Sequence, residues 1–143
     1  MFDPAQVVKD ILVAAGIGTF GTAAPFSIFI GELPTAPNEV VLVNQVGGRD
    51  PYPYLSVNEP SVQVFVRGRM SGYVQARQKM GDVVTALLGL SSYVHSSGDI
   101  YRSCNQIGDI SYLGQDDNTR PLFSANFWSL VLPVAVGNRV AIN

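Results

Sequence analysis

Residues 60–90, PSVQVFVRGRMSGYVQARQKMGDVVTALLGL, constrain the fold of this chain more than any other segment. An alternating stretch runs into a tight turn and then into a run of helical period. Val62, Val64 and Val66 fall on one face of a strand, and Gln63, Phe65 and Arg67 on the other, because successive strand side chains point to opposite faces. Tyr73, Ala76, Met80, Val83, Val84 and Leu87 recur at steps that place them on one helical stripe. Ser71 is the expected N-cap, and Gly89 stands where a left-handed C-terminal cap belongs. A half-buried strand followed by an amphipathic helix predicts a sheet with that helix packed on it. The segment carries no catalytic chemistry.

The flanks extend the pattern. Asp3 caps a first helix, with Pro4 at its first position and Gly16 at its end. Val7, Val8, Ile11, Leu12 and Ala15 form its apolar face. A Gly-rich connector leads to a short buried strand over residues 26–31. Residues 39–46 form the next strand, with Val41, Val43 and Gln45 on one face and Val40, Leu42 and Asn44 on the other. It joins the strand of residues 62–66 as a hairpin with a long loop.

After the second helix, residues 91–99 are a polar connection holding the lone His95. Residues 100–104 read as a strand, and 107–113 as another strand or its bulged continuation. Residues 115–118, QDDN, are a turn, and residues 122–133 the last strand, with Phe123, Ala125, Phe127 and Ser129 on one face. Residues 134–143 read as a tail that orders on a neighbour. The expected fold is α+β: a mainly antiparallel sheet, with an N-terminal helix and one long central helix packed on one face. The 143 residues read as one domain, 1–143.

Composition narrows the function. Only 14% of residues are charged, against 47% hydrophobic. A small domain with so few charges is expected to cover much of its surface with partners or sister subunits. The formal net charge of −2 excludes a nucleic-acid binder driven by phosphate neutralisation. Cys104 is the only cysteine, which excludes an internal disulfide framework, and it reads as a small buried hydrophobe in a strand.

Two motifs near the N-terminus mislead. Residues 11–31 contain no charge and are long enough for a membrane span. Gly16, Gly18, Gly21 and Pro25 interrupt them, and no basic cluster flanks them, so no membrane segment is expected. Asp3 and Asp10 precede the apolar run, which argues against a signal peptide. Gly16, Gly18 and Gly21 also satisfy G-x-G-x-x-G. That motif cradles a pyrophosphate only between a strand and a helix. Here a helix precedes it and Pro25 leaves no room for another, so the glycines are read as a close crossing of the core edge.

No catalytic, cofactor or metal constellation emerges. His95 sits among serines with no marked acid or activated nucleophile. One His and one Cys are too few for a zinc site. Asp116, Asp117 and Asn118 lack the spacing of a calcium loop and fit a turn. Nothing places Asp109 and Asp116 at a working separation as an acid pair. The loop of residues 47–60, GGRDPYPYLSVNEP, is the more promising feature. Long ordered loops in small domains are commonly functional. Tyr52 and Tyr54 offer amphipathic contact area, with Arg49 and Asp50 beside them. Arg67 and Arg69 are further candidates to pair with acidic residues of a neighbour.

Several segments, in this order, resemble the tail terminator family of tailed bacteriophages, also called minor capsid or tail-completion (neck) proteins. They are the first helix ending over residues 12–18, IFIGELP at 28–34, VVLVNQVGG at 40–48, VQVFVRG at 62–68 and the helix from Tyr73. YLGQ at 112–115, Asp117, Arg120 and FSANF at 123–127 complete the series. The resemblance spans about residues 5–130.

The resemblance implies a homo-hexameric ring in the virion, assembled in the host cytoplasm. The ring would sit at the head-proximal end of the tail, stop polymerisation of the tail-tube protein and present a surface to the head-closure or connector protein. Genomic DNA would pass through its lumen unread, and no cofactor, metal or membrane is implied. The nearest alternative is another ring-forming neck or tube protein. A remoter one is a small nucleotide-binding enzyme using the loop Gly16 to Gly21.

Overall fold

The computed structural model describes residues 1–21 and 26–142; the expected break at Pro25 lies outside the described residues. The elements are α1 (Pro4–Ala14), β1 (Thr19–Phe20), β2 (Ser27–Ile30), β3 (Val40–Gly48), β4 (Pro60–Arg67), α2 (Tyr73–Leu87), β5 (Tyr93–Val94), β6 (Ile100–Gln115) and β7 (Pro121–Leu132). The fold is α+β, with the strands in one curled sheet of order β1-β2-β3-β4-β7-β6-β5. The pairs β3–β4, β4–β7, β7–β6 and β6–β5 are antiparallel. The pairs β1–β2 and β2–β3 are parallel, so the expected mainly antiparallel sheet is a mixed one with parallel strands at its β1 edge.

Alternation in β4 places Val62, Val64 and Val66 in the core, all but inaccessible to solvent. Register carries the same face across the sheet: Val43 opposes Val64 and Val64 opposes Ala125, with Val41, Val66 and Phe123 one step along. Both helices lie on this face and touch each other. α1 contributes Val7, Val8, Ile11 and Leu12; α2 contributes Ala76, Met80, Val83 and Leu87. All of these join one apolar cluster with the sheet. Full burial of a side chain such as Leu12 or Met80 stabilises the fold by about 1.5–3 kcal/mol.

The helix ends show how far local signals reach. The Asp3 side chain accepts the Ala5 N–H at 3.0 Å, and Pro4 opens α1 as the cap requires. Gly16 and Gly89, at φ +76° and +80°, lie just beyond the two helices in the left-handed region expected of them. Ala15 is exposed, because it is already the C-terminal cap and turns off the helix face. Ser71 does not cap α2. It sits at φ +61° inside a turn closed by the Gly72 N–H on the Arg69 carbonyl, and Gly72 takes the cap position with no side-chain bond. Tyr73 is half-exposed; its ring packs edge-on against Tyr112 and Phe123 at centroid distances of 5.0 and 5.1 Å.

The two expected strands after α2 are one. β6 continues for 16 residues through register shifts near Tyr101, Ile107 and Tyr112. Bulges of this kind add twist and bend the strand. The tail is also more ordered within its own chain than the sequence implies. Val140 bridges Leu55, its N–H donating to the Tyr54 carbonyl at 2.8 Å and its carbonyl accepting from Ser56 at 2.7 Å.

Truncating Met80, which has no solvent access, is expected to lower stability by about 2–5 kcal/mol in urea unfolding. Val74→Ala, on the exposed face of the same helix, should stay within about 0.5 kcal/mol of the parent.

Candidate assembly surface

The candidate surface is built on the loop between β3 and β4. It follows Gly48, where the Arg49 N–H bonds the Glu59 carbonyl at 3.0 Å and closes the loop's base. Farther along, Asn58 and Val131 exchange backbone bonds at 2.9 and 2.8 Å. The tail then clamps the loop from outside. The Arg139 guanidinium donates to the carbonyls of Leu55 and Val57 and to the Asn58 side chain, the last at 2.6 Å. The Ser56 hydroxyl donates to the Pro133 carbonyl at 3.0 Å.

This anchored loop holds its aromatic residues outward. Tyr54 is 79% exposed and Tyr52 48%; Arg49 and Asp50 are exposed beside them. Between loop, tail and sheet lies an open apolar cavity of about 430 Å³, lined by Tyr52, Leu55, Val57, Leu130, Leu132 and Ile142, with Arg102 at its side. Such a surface offers aromatic and aliphatic contact area at low ordering cost, because the backbone is already fixed. The sequence pointed to the tail as a contact with a neighbour, but not to its hold on this loop of its own chain; Val136, Val140 and Ile142 remain exposed apolar residues.

The two arginines at the end of β4 have different fates. Arg69 is exposed. Arg67 is only 2% exposed, and its guanidinium is occupied within its own chain. It donates to the carbonyls of Asn38 at 2.9 Å, Pro34 at 2.7 Å and Pro37 at 2.5 Å, with Thr35 at 3.5 Å. The expectation that Arg67 meets an acidic residue of a neighbour is therefore corrected: alternation turns the side chain under the loop that connects β2 to β3, where no partner reaches it. Burial, then the nearby Arg120 guanidinium, pushes Arg67 below its ordinary pKa, while Asp116 opposes the shift. Arg120 is buried beside it, donating to the Thr35 carbonyl at 2.7 Å and to Asp116 Oδ2 at 2.8 Å.

His95 is better connected than its loop implies. Its ring is buried and stacked on Phe2 at a centroid distance of 5.1 Å. Nε2 lies 2.7 Å from Asp10 Oδ2 and Nδ1 2.9 Å from the Ser97 hydroxyl, a Ser-His-Asp connectivity. Nδ1 also accepts the Ser97 backbone N–H at 3.1 Å, so its lone pair is engaged locally. Next to it, Asp99 accepts the N–H groups of Phe2 and Val134 at 2.7 and 3.1 Å and ties the segment before α1 and the segment after β7 to one turn. The cluster is a clasp. Partial burial raises the Asp10 pKa, but hydrogen bonds from His95 and Lys9 outweigh it and hold the carboxyl below its usual range.

The glycine motif adopts the reverse of a dinucleotide loop. A helix enters it and β1 lies within it, and a Cβ on Gly18 would collide with the Phe26 carbonyl oxygen. Among the described residues no group of three or more His, Cys, Asp or Glu converges to hold a metal, and no helix is long and apolar enough to cross a membrane.

The Asp116 carboxyl yields a pH prediction. Partial burial raises its pKa, but bonds from the Arg120 backbone and side chain and from Asn118 outweigh this and depress it below 3.8. A depressed carboxyl adds stability that is full above the unfolded value and lost as pH falls through the lower folded value. Asp116→Asn is expected to cost about 1–3 kcal/mol near neutral pH by leaving buried Arg120 short of its counter-charge. The gap from the parent should narrow below about pH 4 in acid-unfolding curves.

Comparisons with known proteins follow the same line. No curated protein sequence matches the chain. A solved structure described as the virion of a native gene transfer agent (GTA) particle contains a chain of similar fold. The TM-score is 0.63 at 14% identity, over 87% of this chain and 90% of that one. A family model described as bacteriophage tail terminator protein matches residues 11–128. The chain therefore belongs to the bacteriophage tail terminator family, structural proteins of the phage tail, and its place is the virion.

Proposed function

We propose that this chain forms a six-subunit ring at the head-proximal end of a phage tail. There it halts polymerisation of the tail-tube protein and offers its other face to the head-closure or connector protein. Its role is structural, with no catalytic step. DNA passes through the ring's lumen and is not read, since a chain with a net charge of −2 has little to hold phosphates with.

The observation that carries this reading beyond family membership is the loop of residues 49–59. Its aromatic side chains are exposed on a backbone bonded to tail and sheet at Arg49, Tyr54, Ser56 and Asn58. Exposed tyrosines on a pinned loop are poor for solubility and good for association. Arg49, Asp50, Tyr52, Tyr54 and Arg69 are the contact residues of this reading. Which of them meets a sister subunit and which meets the tube or connector is what assembly experiments distinguish.

Replacing Tyr52 and Tyr54 together by Ala should leave circular dichroism and the unfolding midpoint close to the parent. Ring formation, read by native mass spectrometry and negative-stain imaging, should weaken. Unchanged rings would remove the loop from the interface. Long tubes from the parent chain alone would make it a tube subunit instead.

A further inference from the structure

The sheet ends in two unequal edges. On one side, β2 covers only the first half of β3: pairing stops at Ile30 with Val43, leaving residues 44–48 without a strand on their outer side. On the other side, β5 covers β6 only at Ile100 and Tyr101, and the Gly89 N–H takes the Cys104 carbonyl. Beyond that point β6 pairs with β7 alone among the described residues, through residues 105–107, 111, 112, 114 and 115, and Asp109 lies in the bulge between Ile107 and Ser111. An uncovered strand edge is a row of peptide donors and acceptors, and proteins ordinarily shield such rows with charge, proline or a covering element. This one has no proline and a single charged residue, Asp109, while Ile107, Tyr112 and Leu113 stand about half-exposed on it. Val46 does the same on the β3 edge.

The two edges match. β3 and β6 are separated by three antiparallel steps through β4 and β7, so they run in opposite directions. A copy rotated about an axis along the strands would therefore bring its β3 antiparallel to the β6 of its neighbour. Their charges are complementary too: Asp109 lies on the β6 edge and Arg49 just past the β3 edge. Both are exposed and neither is ion-paired among the described residues. The Asp109 carboxylate meets only the N–H of the next residue, Ile110. A contact between two different patches repeats head to tail and closes when the rotation closes.

We propose that residues 105–115 of β6 in one copy add to residues 44–48 of β3 in the next, antiparallel, with Asp109 facing Arg49. The subunits of the ring are then joined by continued sheet. The inference rests on the ring reading above and names the surfaces that close it.

The test uses two single variants, Arg49→Asp and Asp109→Arg. Each alone opposes like charges at every junction and should weaken self-association by about tenfold or more. Mixed in equal amounts they should regain rings in which the two chains alternate, visible in native mass spectrometry as equal numbers of each. The alternation restores an opposite pair at every junction. Recovery in the double variant but not in the mixture would mean that the two residues act within one chain, and would overturn the proposal. Rings formed undiminished by either single variant would overturn it while leaving the ring itself standing. A parent chain that stays monomeric at high concentration would remove the ring reading and this proposal together.

Discussion

The Arg67 guanidinium is the interaction on which the arrangement of the sheet depends. β2 and β3 are adjacent and parallel, so the chain between them must cross from one end of the sheet to the other without a helix to carry it. Residues 34–38 make that crossing with carbonyls that would otherwise lack donors. A single buried cation at the end of β4 donates to four of them. Arg120, from the turn before β7, reaches the Thr35 carbonyl. Two like charges side by side repel, and Asp116 on the same turn partly offsets this. Removing either arginine would take the protein donors away from these part-buried carbonyls and leave the loop to water alone. The grip also explains why segments that resemble one family converge: IFIGELP, the end of VQVFVRG and Arg120 all meet at this one place.

With both helices on one face, the other face and the edges of the sheet become the molecule's remaining surfaces. Asn44, Gln63 and Asn126 share one row of that open face, and Ser61, Trp128 and Asn105 the next. These rows hold no ionised group. The titratable groups with internal partners, such as His95, Asp99 and Asp116, tie turns to the N-terminal residues and to one another.

Elements with a strong period were legible in the sequence, and those fixed by distant contacts were not. Val62, Val64 and Val66, the stripe of α2 and the Phe123-Ala125-Phe127 face follow from local alternation and spacing. β1 and β5 are two residues each, too short to show any period, and they exist only because a neighbouring strand offers an edge. The parallel pairing of β2 with β3 follows from the crossing loop and its arginines, a contact across some thirty residues. Ser71 has the composition of a cap, but the turn before it sets a left-handed backbone there and shifts the cap to Gly72. Of the proposed contact residues, the exposed ones were legible as a Tyr/Pro loop. Arg67 was misread because a charge on a strand's second face is normally solvated, and only the overlying loop reverses that.

The residues that hold the fold and those proposed as contacts are largely separate sets. Arg67, Arg120, Asp99 and Arg139 are committed to backbone groups of their own chain. Arg49, Asp109, Tyr52 and Tyr54 lie at loop tips and strand edges and contribute little to the core. This separation has a physical consequence for a subunit that must wait for its partners. Stability is stored in bonds that assembly does not disturb, so the monomer can fold first. The surfaces it presents are fixed before contact, which lowers the ordering cost of each junction. An edge whose peptide groups are already hydrated loses little while it waits and gains on meeting a strand of matching direction. In the proposed ring, closure by such edges would leave no free edge to recruit another copy, so the closure that completes it would also stop its growth.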